Sequence, residues 1–213
     1  IESSYQSSIA TIWKDRVAKH QEYTAQIPFS DFKVFDFICQ NVPKNSQLQV
    51  SNSSAIRYLQ LFDLDNTVQV FCNRGTSGID GSTSTAIGAA LASDLPTMLI
   101  TGDISFLYDS NALWNNYIPK NFKIILLNNS GGGIFRILPG HQETETFNTY
   151  FETSHQLNAL HLAKMYGFDY YTATDEDSLK TSYKSFLNQN NKPCILEIFT
   201  PEKNNNKILL DFF

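Results

Sequence analysis

Asp103 and the amide pair Asn128-Asn129 are side chains in this sequence suited to holding a hard cation. A divalent ion such as Mg²⁺ takes oxygen ligands in octahedral array, normally one or two carboxylates together with phosphate oxygens and water. Asp103 and Asn129 would supply two of these oxygens. The run Gly131-Gly132-Gly133 would supply a third, because no side chain prevents the carbonyl of Gly131 from turning toward the ion. A diphosphate and a water would complete the shell. Ser105 and the N–H groups that open a helix after Asp103 suit phosphate oxygens, since helix N-termini favour anions. Arg57 and Arg74 follow apolar runs closely and add two guanidiniums, which grip carboxylates in two-pronged fashion.

Each of these residues also has a plainer reading. Asp103 alone would serve as a helix N-cap, and it is the Asn128-Asn129 pair that moves the balance to metal binding. Gly131 to Gly133 would make an ordinary turn. Ile134, Phe135 and Leu138 are spaced as well for core packing as for lining a cavity. His20, His141, His155 and His161 show no ligand spacing. Ser53 and Ser54 lack the Gly-x-Ser-x-Gly elbow of a hydrolase nucleophile. Gly75-x-x-Gly78-x-x-Gly81 is not G-x-G-x-x-G, and no Gly-Lys-Ser/Thr occurs anywhere, so a nucleotide cradle fits poorly.

The elements that must position these residues can be read from apolar periodicity. Short apolar runs at 48–50, 68–72, 97–101, 122–127, 168–171 and 195–199 have the composition of buried strands. Helical spacing occupies 54–62, 83–93, 109–117, 157–166 and 177–189. Strand and helix therefore alternate as in βαβ units, which predicts an α/β fold: a doubly wound, mostly parallel six-stranded sheet with helices on both faces. Two further helices precede it, at about 9–23 and at 32–42 with Ser30 or Asp31 as cap. Residues 1–28 read as a lead-in helix and linker from a preceding domain, and 29–213 as the binding domain. Ligands of open parallel sheets bind at strand carboxyl ends, where Ser51 to Arg57, Asn73 to Gly81, Gly102 to Ser105 and Asn128 to Gly133 fall. Residues 131–155 lack a clear period, as long functional loops do.

Bulk properties exclude several classes. A chain of 213 residues, 42% hydrophobic and 13% aromatic, can bury one sizeable core. The net charge of −5, with 16 scattered Lys and Arg residues, provides no footprint for nucleic acid. Cys39, Cys72 and Cys194 lie far apart within apolar runs, which argues against a disulfide framework and fits a reducing cytoplasm. No apolar run approaches the roughly 20 residues that span a bilayer. The opening residues have neither an initiator Met nor signal-peptide order, so a chain cut from a longer one is expected.

Gly102-Asp103 followed by Asn128-Asn129 resembles the GDG…NN signature of thiamine-diphosphate (ThDP) enzymes, with Ile104 in place of the second glycine. That substitution, the stretch Asn73-Arg74-Gly75-Thr76-Ser77-Gly78-Ile79-Asp80-Gly81, the loop Asn129-Ser130-Gly131-Gly132-Gly133-Ile134-Phe135 and Asn52-Ser53 with Arg57 together resemble the MenD family, densely from Val50 to Leu138. The resemblance implies a ThDP-binding fold and a transferase that decarboxylates 2-oxoglutarate and adds the succinyl carbanion equivalent to isochorismate in menaquinone biosynthesis. It implies that Asp103, Asn129 and the Gly131 carbonyl hold Mg²⁺, or Mn²⁺ in its place. Ile79, Ile104, Ser105, Gly131 and Gly132 would contact ThDP, with Ile79 propping the bent cofactor. Ser53, Arg57, Arg74, Ile134, Phe135 and Leu138 would line the substrate cavity. The activating Glu of such enzymes belongs to a separate domain, so no catalytic residue is expected within this chain. The fragment is expected to be inactive alone and to work within a dimer or tetramer of the full-length protein. The alternatives are a domain of another ThDP-dependent decarboxylase or carboligase, acetolactate-synthase-like, or a non-catalytic cofactor-binding lobe.

Overall fold

The computed structural model describes residues 4–213; the first three residues of the expected lead-in stretch lie outside the described residues. The strands are β1 (Gln47–Val50), β2 (Gln69–Cys72), β3 (Thr97–Gly102), β4 (Lys123–Asn128), β5 (Asp169–Ala173) and β6 (Cys194–Phe199). The α-helices are α1 (Ser4–Gln26), α2 (Asp31–Asn41), α3 (Ser54–Leu59), α4 (Ser82–Ala92), α5 (Asp103–Tyr108), α6 (Leu160–Tyr166), α7 (Glu176–Asn188) and α8 (Asn205–Phe212). The six strands form one sheet in the order β2-β1-β3-β4-β6-β5, and all five pairings are parallel.

A sheet covered on both faces must be apolar on both, and β4 shows this residue by residue. Ile125 and Leu127 pack in one core with Phe32, Phe35 and Ile38 of α2 and Phe186 of α7. Ile124 and Leu126, pointing the opposite way, pack in the other with Ala86 of α4, Phe106 of α5 and Ala163 of α6. Each such fully buried side chain contributes roughly 1.5–3 kcal/mol. Lys123 begins the same strand as a buried cation, and its Nζ donates to the carbonyls of Phe186 (2.8 Å) and Gln189 (2.5 Å) at the end of α7. Carbonyls left open at a helix C-terminus carry partial negative charge, which makes that end a suitable berth for a buried ammonium.

The structure departs from the sequence reading in the connections. The helix expected at 109–117 begins at Asp103 itself and stops at Tyr108, after which Ser110–Trp114 forms a 3₁₀ turn. Asp109 interrupts it, because its carboxylate accepts from the amide (2.7 Å) and hydroxyl (3.0 Å) of Ser84 and so caps α4 instead. Residues 131–155 are not simply a loop: Gly133–Arg136 is a 3₁₀ turn and Phe147–Glu152 a π-helical turn. Helix α8 was not anticipated; Ile208, Leu209 and Phe212 bury one face of it against α1 and α2. Among the described residues no helix is long and apolar enough to cross a membrane, and all three cysteines are free thiols.

Helix α1 is anchored chiefly by its C-terminal half. His20 is buried, its ring 5.9 Å from Phe32, 5.2 Å from Phe62 and 4.6 Å from Phe212. Desolvation lowers its pKa below the ordinary value, assisted by Arg16 and Lys19 on the same helix and opposed by Asp63 beyond α3. The unfolded chain then binds more protons than the folded one just below the ordinary histidine pKa of about 6.5. This contribution to stability is complete above that pH and is lost as pH falls toward the depressed folded pKa. Urea unfolding at pH 7.5 and 5.5 should show a loss at the lower pH that shrinks in His20→Phe. An unchanged acid difference in the variant would assign the loss to other groups.

Candidate functional site

The strand order turns back on itself around β1, which continues to β2 on one side and has β3 on the other. Open parallel sheets leave a crevice at such a point, outside the strand carboxyl ends. A cavity of about 380 Å³ occurs there, lined by Asn52 to Ala55 after β1, Ser77 to Ile79 after β2, Gly102 to Ser105 after β3 and Asn129 with Gly131 to Phe135 after β4. Residues Tyr150 to Thr153 and the α2 residues Asp31 and Phe35 complete the wall.

The expected cation ligands converge on this cavity. Asp103, 4% exposed, opens α5; its Oδ1 accepts from the amide of Ile104 (2.7 Å) and its Oδ2 from the amide of Gly131 (3.0 Å). One carboxylate therefore ties the ends of β3 and β4 together. Asn129 donates its amide nitrogen to Asp31 Oδ2 (2.9 Å), which leaves the amide oxygen for a ligand. The carbonyl of Gly131 accepts from the amide of Gly133 (3.0 Å) and keeps a second lone pair. Gly131 has φ +154°, and a Cβ there would lie 2.7 Å from the carbonyl oxygen of Glu152, so only glycine fits. The donors of all three residues are oxygens, which fits a hard divalent cation. The described residues contain no cluster of three or more His, Cys, Asp or Glu side chains able to hold a metal by themselves, so a cation here needs ligands from a bound phosphate or water.

The remaining expected residues divide into two groups. Ser53, Ile79, Ile104, Ser105, Gly132, Ile134 and Phe135 line the cavity. Arg57, Arg74 and Leu138 do not: all three are exposed, Arg57 donating to the carbonyl of Ser53 (2.8 Å) and Arg74 to Asn52 Oδ1 (3.1 Å). Leu138 lies on a neighbouring open groove with Phe135, His141 and Phe147. Ser105 sends its hydroxyl to the carbonyl of Ile79 (2.5 Å), fastening the loop after β2 to α5; giving that proton to a phosphate oxygen would break this bond. Asn52 organises the same loop, donating to the carbonyls of Asn73 (2.6 Å) and Gly78 (2.5 Å). Ser53 next to it has φ +69° and ψ −130°, a strained conformation that costs about 1–3 kcal/mol and is concentrated at functional sites.

Several residues at the site carried no signal in the sequence. Asp31 read only as a possible cap, yet its carboxylate reaches Asn129 and, through Oδ1, the Thr200 hydroxyl (2.5 Å). Burial raises its pKa to about 6, against the hydrogen bonds from Thr200 and Asn129 and with the Asp103 charge adding to the rise. His155 places Nε2 3.4 Å from Asp103 Oδ2, which raises the histidine pKa against the effect of burial. Its Nδ1 accepts from the amide of Leu157 (3.1 Å), so the neutral ring carries its proton on the nitrogen that faces Asp103. Glu152 and Arg136, 1% and 3% exposed, form a buried two-pronged pair, while the carbonyl of Glu152 receives the amide of Gly132 (2.6 Å). This pair holds the π-helical turn over the glycine loop.

Comparison with known proteins gives the site a family setting. Residues 52–198 match the family described as thiamine pyrophosphate enzyme, C-terminal TPP binding domain. Two proteins named 2-succinyl-5-enolpyruvyl-6-hydroxy-3-cyclohexene-1-carboxylate synthase are similar to the chain throughout. That of Flavobacterium psychrophilum is 65% identical over 213 residues, 100% of this chain and 38% of the relative. That of Christiangramia forsetii is 55% identical over 198 residues, 93% of this chain and 34% of the relative. The chain thus spans well under half the length of these relatives. In fold it is similar to the Rhodococcus jostii RHA1 thiamine diphosphate-dependent 4-hydroxybenzoylformate decarboxylase, with TM-score 0.60 and 24% identity over 82% of this chain and 33% of that one.

Removing one member of a buried ion pair leaves the other charged and unpaired, which costs about 3–5 kcal/mol, whereas an exposed pair contributes about 0–1 kcal/mol. Arg136→Met should therefore destabilise the protein by an amount in the first range and open residues 137–153 to limited proteolysis. Glu143→Gln, which removes the half-exposed third partner of Arg136, should change stability little. Equal effects of the two substitutions in urea unfolding would show that the Glu152 pair does not anchor this segment.

Proposed function

This chain belongs to the thiamine pyrophosphate enzyme family, of which it carries the C-terminal TPP binding domain, and we propose that its cavity holds the ThDP diphosphate through Mg²⁺ bound by Asp103, Asn129 and the Gly131 carbonyl. The observation that carries this reading is the set of oxygen donors gathered where β3 and β4 end, buried at Asp103 and Gly131 and partly buried at Asn129, on loops already joined by the Asp103 to Gly131 hydrogen bond. When bound, ThDP supplies the electron sink for decarboxylating a 2-oxo acid. The chain's own residues bind and orient. Ile79 and Ile104 give apolar contact to the cofactor, Gly132 lets it approach the backbone, and Ser105 has a hydroxyl within the same wall. Mn²⁺ would satisfy the same oxygen ligands.

The name shared by the relatives supports a whole protein that acts as a transferase, taking a succinyl unit from 2-oxoglutarate and adding it to isochorismate. Both substrates are carboxylates. Arg57 and Arg74 stand outside the cavity wall but are tied to Ser53 and Asn52, which belong to it, and each guanidinium keeps further N–H groups for an anion. In this reading they meet carboxylates at the cavity's rim, and Ser53, Ile134 and Phe135 form the inner surface that excludes water. The Glu that activates the cofactor is assigned to another part of the protein.

Titrating ThDP calorimetrically into the full-length protein, with and without Mg²⁺, should give binding that requires the metal and is lost in Asp103→Ala. Binding of equal strength without metal, or in the variant, would remove Asp103 from the metal site. The same protein should consume 2-oxoglutarate only when isochorismate is present, while the 213-residue chain alone should form no product. Turnover of pyruvate in place of 2-oxoglutarate would favour an acetolactate-synthase-like reaction.

A further inference from the structure

Asp31 is a second carboxylate in the cavity wall, and the functional reading above gives it no task. It is the first residue of α2, outside the stretch 52–198 that matches the family, and it is almost fully buried. Among the described residues it forms no salt bridge, and the charge that acts on it is that of Asp103. Its two oxygens are each assigned instead: Oδ2 accepts from Asn129 Nδ2 at 2.9 Å and Oδ1 from Thr200 Oγ1 at 2.5 Å. Its backbone amide donates to Asn205 Oδ1 at 2.8 Å, and Asn205 in turn donates to the carbonyl of Pro201 at 2.8 Å. Residues of α2, the end of β6 and α8 thus hold one carboxylate in one orientation, aimed at Asn129.

A side-chain amide has chemically opposite ends of nearly equal size, and only the oxygen can ligate a hard cation. With nothing else to distinguish the two ends, Asn129 would present its nitrogen to an empty site as readily as its oxygen. An ionised carboxylate accepts and cannot donate, so it bonds the nitrogen end and repels the oxygen end. Exchanging the ends would replace a charge-assisted hydrogen bond, of about 1.5–3 kcal/mol, with two facing acceptors. We infer that Asp31 is the positioning residue that selects the orientation of the Asn129 amide and presents its oxygen to the cation, an inference that rests on the metal site proposed above. The cation's affinity then depends on a side chain that touches neither metal nor cofactor, as ligand-orienting residues in metal sites commonly do.

The test uses full-length protein saturated with ThDP and titrated with Mg²⁺ by calorimetry, or with Mn²⁺ followed by electron paramagnetic resonance, so that it reads metal affinity and not activity. Asp31→Ala should weaken metal binding about 10–100-fold, the usual effect of losing a residue that orients a ligand. Asp31→Asn should recover most of that loss, because its amide oxygen accepts from Asn129 while its nitrogen donates to Thr200. A merely structural role would lower the urea midpoint and leave the metal affinity of the folded protein unchanged. Asp31→Ala with affinity within about twofold of the wild type overturns the inference. If Asp31→Ala does not fold, Thr200→Val decides: weakening by roughly 2–10-fold, as expected when the carboxylate loses one of the two bonds that orient it, supports it, and unchanged affinity overturns it. Wild-type protein whose ThDP binding ignores metal overturns the metal site itself, and this inference with it. That result is distinct from an indifferent Asp31 variant in a metal-dependent wild type.

Discussion

The cost of burying negative charge governs one end of this sheet. Asp31, Asp103, Glu152 and Glu197 are all buried there, and an ionised carboxylate removed from water is tolerated only where hydrogen bonds or a counter-charge replace its hydration. The four are satisfied in different ways. Glu152 takes the guanidinium of Arg136. Glu197, fully buried in β6, takes three neutral donors: the Asn128 side-chain amide (2.6 Å), the amide of Ala159 (2.9 Å) and the hydroxyl of Tyr170 (2.5 Å). Asp31 takes Asn129 and Thr200, and Asp103 takes two backbone amides. Asp103 faces the cavity with only backbone amides as hydrogen-bond donors, one from its own helix and one from the loop after β4, and with His155 alongside.

These partnerships require the parallel topology. Because β3, β4 and β6 run side by side in one direction, Asp103, Asn129 and Thr200 each follow directly on the last residue of their strands at the same end of the sheet. The two adjacent asparagines after β4 then divide their work by strand alternation. Asn128, the last residue of the strand, points to one side and binds Glu197 and the carbonyl of Leu157 (2.9 Å), while Asn129 points to the other and binds Asp31. Neither residue could substitute for the other. The amide oxygen of Asn128 also accepts from the amide of Ser130 (3.1 Å), which shapes the turn that delivers Gly131 at a φ only glycine tolerates.

The central strands β3, β4 and β6 were legible in the sequence because a strand buried on both faces must be a nearly uninterrupted apolar run, a local signal. Strand β2, expected to be buried, is instead an edge strand with Val70 and Phe71 exposed. All six runs proved to be strands, and the loops after the first four proved to border one cavity. What escaped notice depended on partners distant in the chain. Asp109 looked like the start of a helix because its partner, Ser84, could not be known, and the helix begins instead at Asp103. Asp31 shows the same limit, with Asn129 lying 98 residues away and Thr200 169. Helix α8 was obscured for another reason: Asn204 to Asn206 has the composition of a loop, yet Asn205 is buried and spends both ends of its amide on Asp31 and Pro201.

The two arginines show how a site can be read correctly as a group of loops and still be divided by the structure. Arg57 and Arg74 follow the same strand ends as the cavity residues, so proximity in sequence placed them together with Ser53. A long, strongly solvated side chain nevertheless stays at the surface unless a counter-charge is buried with it. Among the described residues, the carboxylates lining the cavity have hydrogen-bond partners other than these arginines. Each arginine instead bonds a neutral oxygen of the loop beneath it and leaves its remaining donors directed outward. The cavity wall carries Asp31, Asp103 and Glu152 among small, apolar and amide groups, and the positive charge of both arginines is kept outside it.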